Sequence, residues 1–277
     1  GVFFDNSFDG GNVGAILSQK GALLVDTPML PPDARQWRLA LMQMNAAETY
    51  AIVNTDYHPE HLLGNAAFMP IKTFGHELSA KPLAKYETST LEQVAEPFRE
   101  RDPALAMEIL NTEIYAPELR VDERVSLYLG NRRAEILYLD GHTPASLGVY
   151  LPGERVLFAG DNVVSGAHPA LYQADSLAWL DTLMRIKAMD VDLIVPGEGE
   201  PCGKEAIDPL YDYIVEMRRR TTELFKKGAS RRECVDKVGM LDWFPVPEDR
   251  LAEIKRRRRG SVERVYTEIR IALRRSR

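Results

Sequence analysis

Six consecutive positions, Asp56-Tyr57-His58-Pro59-Glu60-His61, hold two imidazoles and two carboxylates directly after the apolar run Tyr50-Ala51-Ile52-Val53. Such side chains are metal donors, and a loop at the end of a strand is a place from which a rigid sheet can aim them. Three further stretches repeat the pattern of an apolar run ending in an acid or a histidine. They are Leu139-Asp140-Gly141-His142-Thr143, Phe158-Ala159-Gly160-Asp161-Asn162 and Val195-Pro196-Gly197-Glu198-Gly199. Gathered at one point, these groups would bind divalent ions. A bound ion lowers the pKa of its water from about 16 toward about 7, which makes a hydroxide nucleophile at neutral pH. Two ions roughly 3.5–4 Å apart can hold that hydroxide and polarise a carbonyl or phosphoryl oxygen.

The elements that must position these residues are legible around them. Residues 21–28 read as a buried strand ending at an acid and a proline, and 50–56 as another. Residues 31–45 predict a helix, with prolines before it, Asp33 as N-cap and Trp37, Leu41 and Met44 at helical spacing. The charged, Ala- and Leu-rich segment from Glu77 to Asn111 is expected to be helical. Residues 134–142 form a strand, and 146–161 two strands joined at Pro152-Gly153. A helix over 175–190 would present Leu177, Leu180, Leu183 and Met184 on one face. Residues 191–199 form the last strand, and helical patterns fill the chain after Lys204.

The 277 residues have an ordinary globular composition, 45% apolar and 27% charged. No apolar run reaches the roughly 20 residues that span a bilayer, and no charged-then-apolar leader opens the sequence, so no membrane partner and a cytoplasmic setting are expected. Cys202 and Cys234 read as plain thiols. Charge is unevenly spread: residues 218–277 carry 19 Lys and Arg against 9 Asp and Glu, whereas 1–217 carry 16 against 32. The run Lys255-Arg256-Arg257-Arg258-Arg259-Gly260 invites a nucleic-acid reading. Glu253, Glu263 and Glu268 at ion-pairing distances along a helix, and the lack of interleaved aromatics, favour instead a helix face that is solvated or docks on the acidic remainder or on a second copy in a homodimer.

In order and spacing the four loops resemble the motifs of the metallo-β-lactamase-fold hydrolases, whose H-x-H-x-D-H, G-H-T-x-G-[SH], G-D and P-G-H-G appear here as D-Y-H-P-E-H (56–61), G-H-T-P-A-S (141–146), G-D (160–161) and P-G-E-G (196–199). The resemblance covers most of residues 10–203. It implies an α+β fold, a four-layer αββα sandwich of two mostly antiparallel sheets over 1–203, with a helical extension over 204–277 packed on it. It implies two divalent ions (Zn, Mn or Fe), one among Asp56, His58, His142 and Asp161, the other among Glu60, His61, Asp161 and Glu198. Glu60 and Asp161 are the expected catalytic carboxylates. Asp56 and Glu198 stand where the family has histidines, and Glu60 replaces an aspartate. Each replacement keeps a ligand-type atom, so an oxygen-rich working site is expected, one that favours harder ions and leaves its bound water less acidic.

The expected activity is metal-dependent hydrolysis of a small ester, lactone, lactam or thioester by a metal-bound hydroxide. Two alternatives stay open. His58, His142 and Asp161 alone are the two-histidine, one-carboxylate set of non-haem iron oxygenases, and the persulfide dioxygenases of the same superfamily are similar; a metal-binding protein with little turnover is the other. His76 is expected to be a capping or solvated histidine. His168 and Tyr172, on the loop after Asp161, are candidates to face the substrate or merely to pack the loop.

Overall fold

The computed structural model describes residues 1–44, 48–85 and 88–275. Two sheets carry the site. The first has the order β1 (Val2–Asp5), β2 (Val13–Ser18), β3 (Gly21–Val25), β4 (Thr49–Val53), β5 (Thr73–His76) and β6 (Leu119–Val121). The second has the order β11 (Leu193–Glu198), β10 (Val156–Val164), β9 (Leu147–Leu151), β8 (Arg133–Tyr138) and β7 (Arg124–Tyr128). The strand side chains alternate between two cores, as their period of two requires. Ile16, Leu23, Val25 and Val53 face Ile136, Val149, Phe158 and Val195 between the sheets. On the opposite face of the first sheet, Val13, Ala15, Leu24 and Ile52 pack against Trp37 and Leu41 of α1 (Pro31–Gln43). Burial on both faces is why β3 reads as an unbroken apolar run.

The second sheet is covered from outside by C-terminal helices. Leu157, Ala159 and Ile194 pack against Trp179, Leu183 and Ile186. The same cluster takes in Leu210, Tyr213 and Met217, and then Val262, Val265 and Ile269 near the chain's end. The layers are therefore α, β, β, α. The remaining helices are α2 (Pro59–Leu62), α3 (Ala80–Leu83), α4 (Thr88–Ala95), α5 (Pro103–Leu110), α6 (Ser176–Ala188), α7 (Ile207–Lys226), α8 (Arg231–Lys237) and α9 (Leu251–Arg275). No helix among the described residues is long and apolar enough to cross a membrane.

Several local expectations change. The first sheet is mixed, because β3, β4, β5 and β6 pair in parallel and only β1–β2–β3 is antiparallel. The helix α1 between β3 and β4 is the crossover that a parallel pair demands. Asp33 does not cap α1: the N-cap is Leu30, with Pro31 opening the helix and Asp33 within its first turn. Asn45, at the expected end of that helix, lies outside the described residues. On α6 the buried face is Ser176, Trp179, Thr182, Leu183 and Ile186, while Leu177 and Met184 are about half exposed. The segment 77–111 is helical in short pieces rather than in one helix. Among the described residues, all strands precede Lys204.

Candidate metal centre

Local geometry sets each donor. In the first loop, Pro59 opens the single turn of α2, a position that suits its fixed φ and missing N–H. His58 before it stays extended, and His61 sits on the turn. At Asp161 the chain leaves the regular strand through Gly160, whose φ of +53° is left-handed and whose missing Cβ would lie 2.6 Å from the Thr55 hydroxyl oxygen. Gly197 on β11 passes so close that a Cβ would stand 1.9 Å from Asp161 Oδ1. Gly160 is thus required by its left-handed φ and the closeness of Thr55, and Gly197 by the approach of its backbone to Asp161.

The imidazoles and Asp161, far apart in sequence, converge. The His58 and His142 rings lie edge to face with centroids 5.4 Å apart. Asp161 Oδ2 is 3.5 Å from His142 Nε2 and 3.7 Å from His61 Nε2. His58, His61 and His142 are all buried, as are Asp56 and Asp161. Among the described residues, two groups have donor atoms mutually within 4.8 Å: Asp56 with His58 and His142, and Glu60 with His61 and Asp161.

A second layer orients these side chains. His61 Nδ1 lies 3.0 Å from Asp26 Oδ2, and Asp26 also accepts the Thr55 N–H and hydroxyl, at 2.7 and 2.6 Å. This fixes the ring with Nε2 toward Asp161, the arrangement by which an outer carboxylate holds a metal-binding histidine. The Gln173 Oε1 accepts from the Tyr57 hydroxyl at 2.5 Å and lies 3.0 Å from His58 Nε2. With the proton on Nε2, the Nδ1 lone pair of His58 points to Asp56 and Glu60, 3.7 and 3.9 Å away. His142 rests edge-on against Trp179, and the Asn162 amide clamps its loop by accepting the His142 N–H and donating to Leu139 O.

Charge is distributed unevenly. Asp56 accepts hydroxyls from Thr143 and Ser146 at 2.9 and 3.0 Å on Oδ2, and backbone N–H groups of Tyr57 and His58 on Oδ1. Burial works against its charge, but the nearby His58, His142 and His61 prevail and lower its pKa. Asp161 is likewise buried and is held well below the usual carboxylate range by His61 and His142. Burial also disfavours a charged His61, yet Asp26 and Asp161 outweigh it and push this ring well above the imidazole range, whereas burial keeps His142 low.

Among the described residues, five of the buried polar atoms without a hydrogen-bond partner belong to this centre: His58 Nδ1, His61 Nε2, both ring nitrogens of His142, and Asp161 Oδ1. Buried polar atoms without partners are rare and costly, and cations held by the two donor groups would satisfy those that face them. The residues fit divalent ions.

The other expected site residues fall in three places. Glu198 lies outside both donor groups. Its Oε1 is 2.6 Å from Arg257 Nη1, and Arg250 stands 3.9 Å from Oε2. The Tyr172 ring is 5.9 Å from His58 and 42% exposed, at the edge of the centre. His168 is 3% exposed and faces the C-terminal segment, with Nε2 3.1 Å from Phe244 O and its ring edge-on to Tyr213 and Phe244. His76 accepts the Leu78 N–H as a cap, but it is buried and stacked on Tyr138 rather than solvated. A cleft of about 820 Å³ opens beside the centre, lined among others by Phe8, Glu60, Arg101, Glu198, Arg250 and Arg257. Sequence reasoning missed Asp26, Gln173 and Arg257. Asp26 carried a usable signal, since it too is an acid at the end of an apolar run.

Comparison with known proteins agrees with this geometry. The family model described as the metallo-beta-lactamase superfamily matches residues 6–198. The linear primary-alkylsulfatase of Pseudomonas sp. (strain ATCC 19151) is 22% identical over 258 residues, 80% of this chain and 49% of that protein. The 2,4-dinitroanisole O-demethylase subunit alpha of Nocardioides sp. (strain JS1661) is 28% identical over 189 residues, 66% of this chain and 51% of that one. The chain thus spans about half the length of these curated relatives. Among solved structures, the sec-alkylsulfatase Pisa1 from Pseudomonas sp. superposes with a TM-score of 0.70 at 16% identity, over 96% of this chain and 48% of that one. A metallo-beta-lactamase family protein from Thermus thermophilus also reaches 0.70, at 17% identity, over 100% and 94% of the two chains. The match over residues 6–198, a stretch that includes Asp56, His142, Asp161 and Glu198, establishes that this chain belongs to the metallo-beta-lactamase superfamily.

Proposed function

We propose that the protein is a metal-dependent hydrolase of a small ester, lactone, lactam or thioester. The carrying observation is the cluster of buried, unpartnered donors on His58, His61, His142 and Asp161. In this reading Asp56, His58, His142 and Asp161 hold one divalent ion, and Glu60, His61 and Asp161 hold the other. When bound, the ions supply Lewis acidity and an activated water. The protein's own groups do the rest. Asp26 and Gln173 lock the rings of His61 and His58 so that little reorganisation is needed on binding. Thr143 and Ser146 spread the charge of Asp56 over hydroxyl donors. The Glu60 side chain is 27% exposed and reaches the cleft, so it is placed to exchange a proton with an entering substrate. Tyr172, at the rim, is placed to border the substrate. The carboxylate-rich donor set favours Mn²⁺ or Fe over Zn²⁺.

Relatives named as an alkylsulfatase and as a hydroxyacylglutathione hydrolase support hydrolysis as the reaction class. The test is a panel of a carboxylic ester, lactone, lactam, thioester and primary alkyl sulfate, assayed with Mn²⁺, Fe²⁺ or Zn²⁺. Turnover of one class that chelator abolishes and His58→Ala removes supports the reading. Metal-loaded protein that turns over none of them contradicts it. One observation favours a second reading, a one-iron oxygenase built on His58, His142 and Asp161: Glu198 is engaged elsewhere, which leaves the second donor group the poorer one. Oxygen uptake by the iron-loaded protein with a persulfide would select that reading.

A further inference from the structure

We propose that Arg257, delivered by α9, withholds Glu198 from the second donor group and so leaves the second ion more weakly and more openly held than the first. This rests on the metal-site reading above and concerns how one part of that site is regulated. Glu198 sits at the end of β11, one residue after the Gly197 that touches Asp161, so its backbone is at the centre. Its carboxylate is not. Oε1 is bound to Arg257 Nη1 at 2.6 Å, and Oε2 faces Arg250 at 3.9 Å.

The arginine is itself fixed. Arg257 Nη2 is 2.8 Å from Glu253, one turn earlier on α9, and Glu253 is held in turn by Arg250 at 3.0 Å. The result is an alternating row, Arg250, Glu253, Arg257, Glu198, whose inner end is largely buried: the side chains of Arg257 and Glu198 are 20% and 14% exposed. For Glu198 to turn onto an ion, Arg257 would have to lose a partner in a poorly solvated position, which is strongly unfavourable. The pair Glu198–Arg257 is also formally neutral, like the imidazole that the superfamily motif carries at this position. It therefore keeps the charge of the centre while withdrawing the donor atom. What remains for the second ion is Glu60, His61 and Asp161, the last shared with the first group. The side left open faces the cleft, whose lining includes Glu60, Arg250 and Arg257. Arg257 lies beyond residues 6–198, so this control comes from outside the segment that the superfamily model matches. By this account Arg257 is a positioning residue.

The test is binding stoichiometry and affinity, measured on the full chain by calorimetric titration with Mn²⁺ and separately with Zn²⁺, and checked by elemental analysis. In the native chain two binding events of unequal affinity are expected, and Glu198→Gln should keep both, with the weaker one loosened by the unbalanced charge of Arg257 but not lost. In the Arg250→Met/Arg257→Met variant Glu198 is released, and the weaker event should tighten about tenfold or more, the scale on which neighbours tune metal sites. Adding Glu198→Gln to that variant should abolish the gain. First-ion binding reports whether each variant is folded. Should the arginine variant fail to fold, Glu198→Gln in the native background decides the matter alone. Selective loss of the weaker event in Glu198→Gln, or no tightening in the arginine variant, overturns this proposal and spares the function above. Absence of any metal binding by the folded native chain overturns both.

Discussion

Asp56 and Glu198 each place a carboxylate where the superfamily motif carries histidine, and the two surroundings are unlike. Asp56 is enclosed by neutral donors, the Thr143 and Ser146 hydroxyls and two backbone N–H groups, with three imidazoles nearby. Such donors stabilise an anion without cancelling its charge, so its oxygens stay available to a cation. Glu198 is met by a guanidinium that takes both its charge and its oxygen. The same exchange of residue type thus has two consequences, and the neighbours decide which.

The largest test of this contrast removes the element on which the Glu198 side depends. Truncation after Phe244 deletes α9 with Val262, Val265 and Ile269, each buried and each contributing roughly 1.5–3 kcal/mol. The melting temperature should collapse, and an unchanged melt would show that α9 does not dock. His142→Ala should strip the Asp56 group of its metal, by more than the roughly hundredfold that loss of an outer-layer partner can cost; titration with Mn²⁺ measures it, and near-native affinity would break the assignment. Asp26→Ala should weaken binding at the Glu60, His61 and Asp161 group by about 10–100-fold through the freed His61 ring while sparing the other group. Equal weakening of both would mean that the two halves are not separable. Thr143→Val with Ser146→Ala removes two hydrogen bonds to a charged acceptor, worth about 1.5–3 kcal/mol each in general. Chemical denaturation should show that loss in metal-free protein and a smaller one once an ion shares the charge of Asp56. The smallest effect is on pH. His61 is held protonated above its ordinary range between Asp26 and Asp161, and a metal must displace that proton. Metal uptake should therefore release protons and weaken as pH falls, which calorimetry in two buffers of different ionisation heat would reveal.

Much of this centre was legible in the sequence, because each strand-end loop carries its donors within a few residues of an apolar run. His58, His61, His142 and Asp161 were picked out by their strand-end loops and by the resemblance of those loops, in order and spacing, to the superfamily's motifs. The glycines at 160 and 197 were visible as motif letters, but their reason, the approach to Thr55 and Asp161, is tertiary. Arg257 was hidden for the opposite cause. It stands in a run of five basic residues that read as one face, solvated or docked on the acidic remainder or a second copy, yet the helix turns them in different directions. Arg257 reaches Glu198, Arg258 donates to the Val235 and Val238 carbonyls, and Arg259 pairs with Glu263. Helical phase alone does not say which turn will meet the cleft. His168 followed the same logic: its distance from Asp161 along the chain left it between facing the substrate and packing the loop, and it packs in the aromatic cluster with Tyr213 and Phe244.

The central claim is that the DYHPEH loop is a working metal loop whose carboxylates have retuned it. Its most direct test is elemental analysis of the full chain after equilibration with Mn²⁺ and Zn²⁺ in competition at neutral pH, beside the Asp56→His/Glu198→His variant. The account predicts at least one ion per native chain, enriched in Mn²⁺ relative to the variant, with the variant shifted toward Zn²⁺. Folded native protein that retains neither these metals nor iron would contradict it.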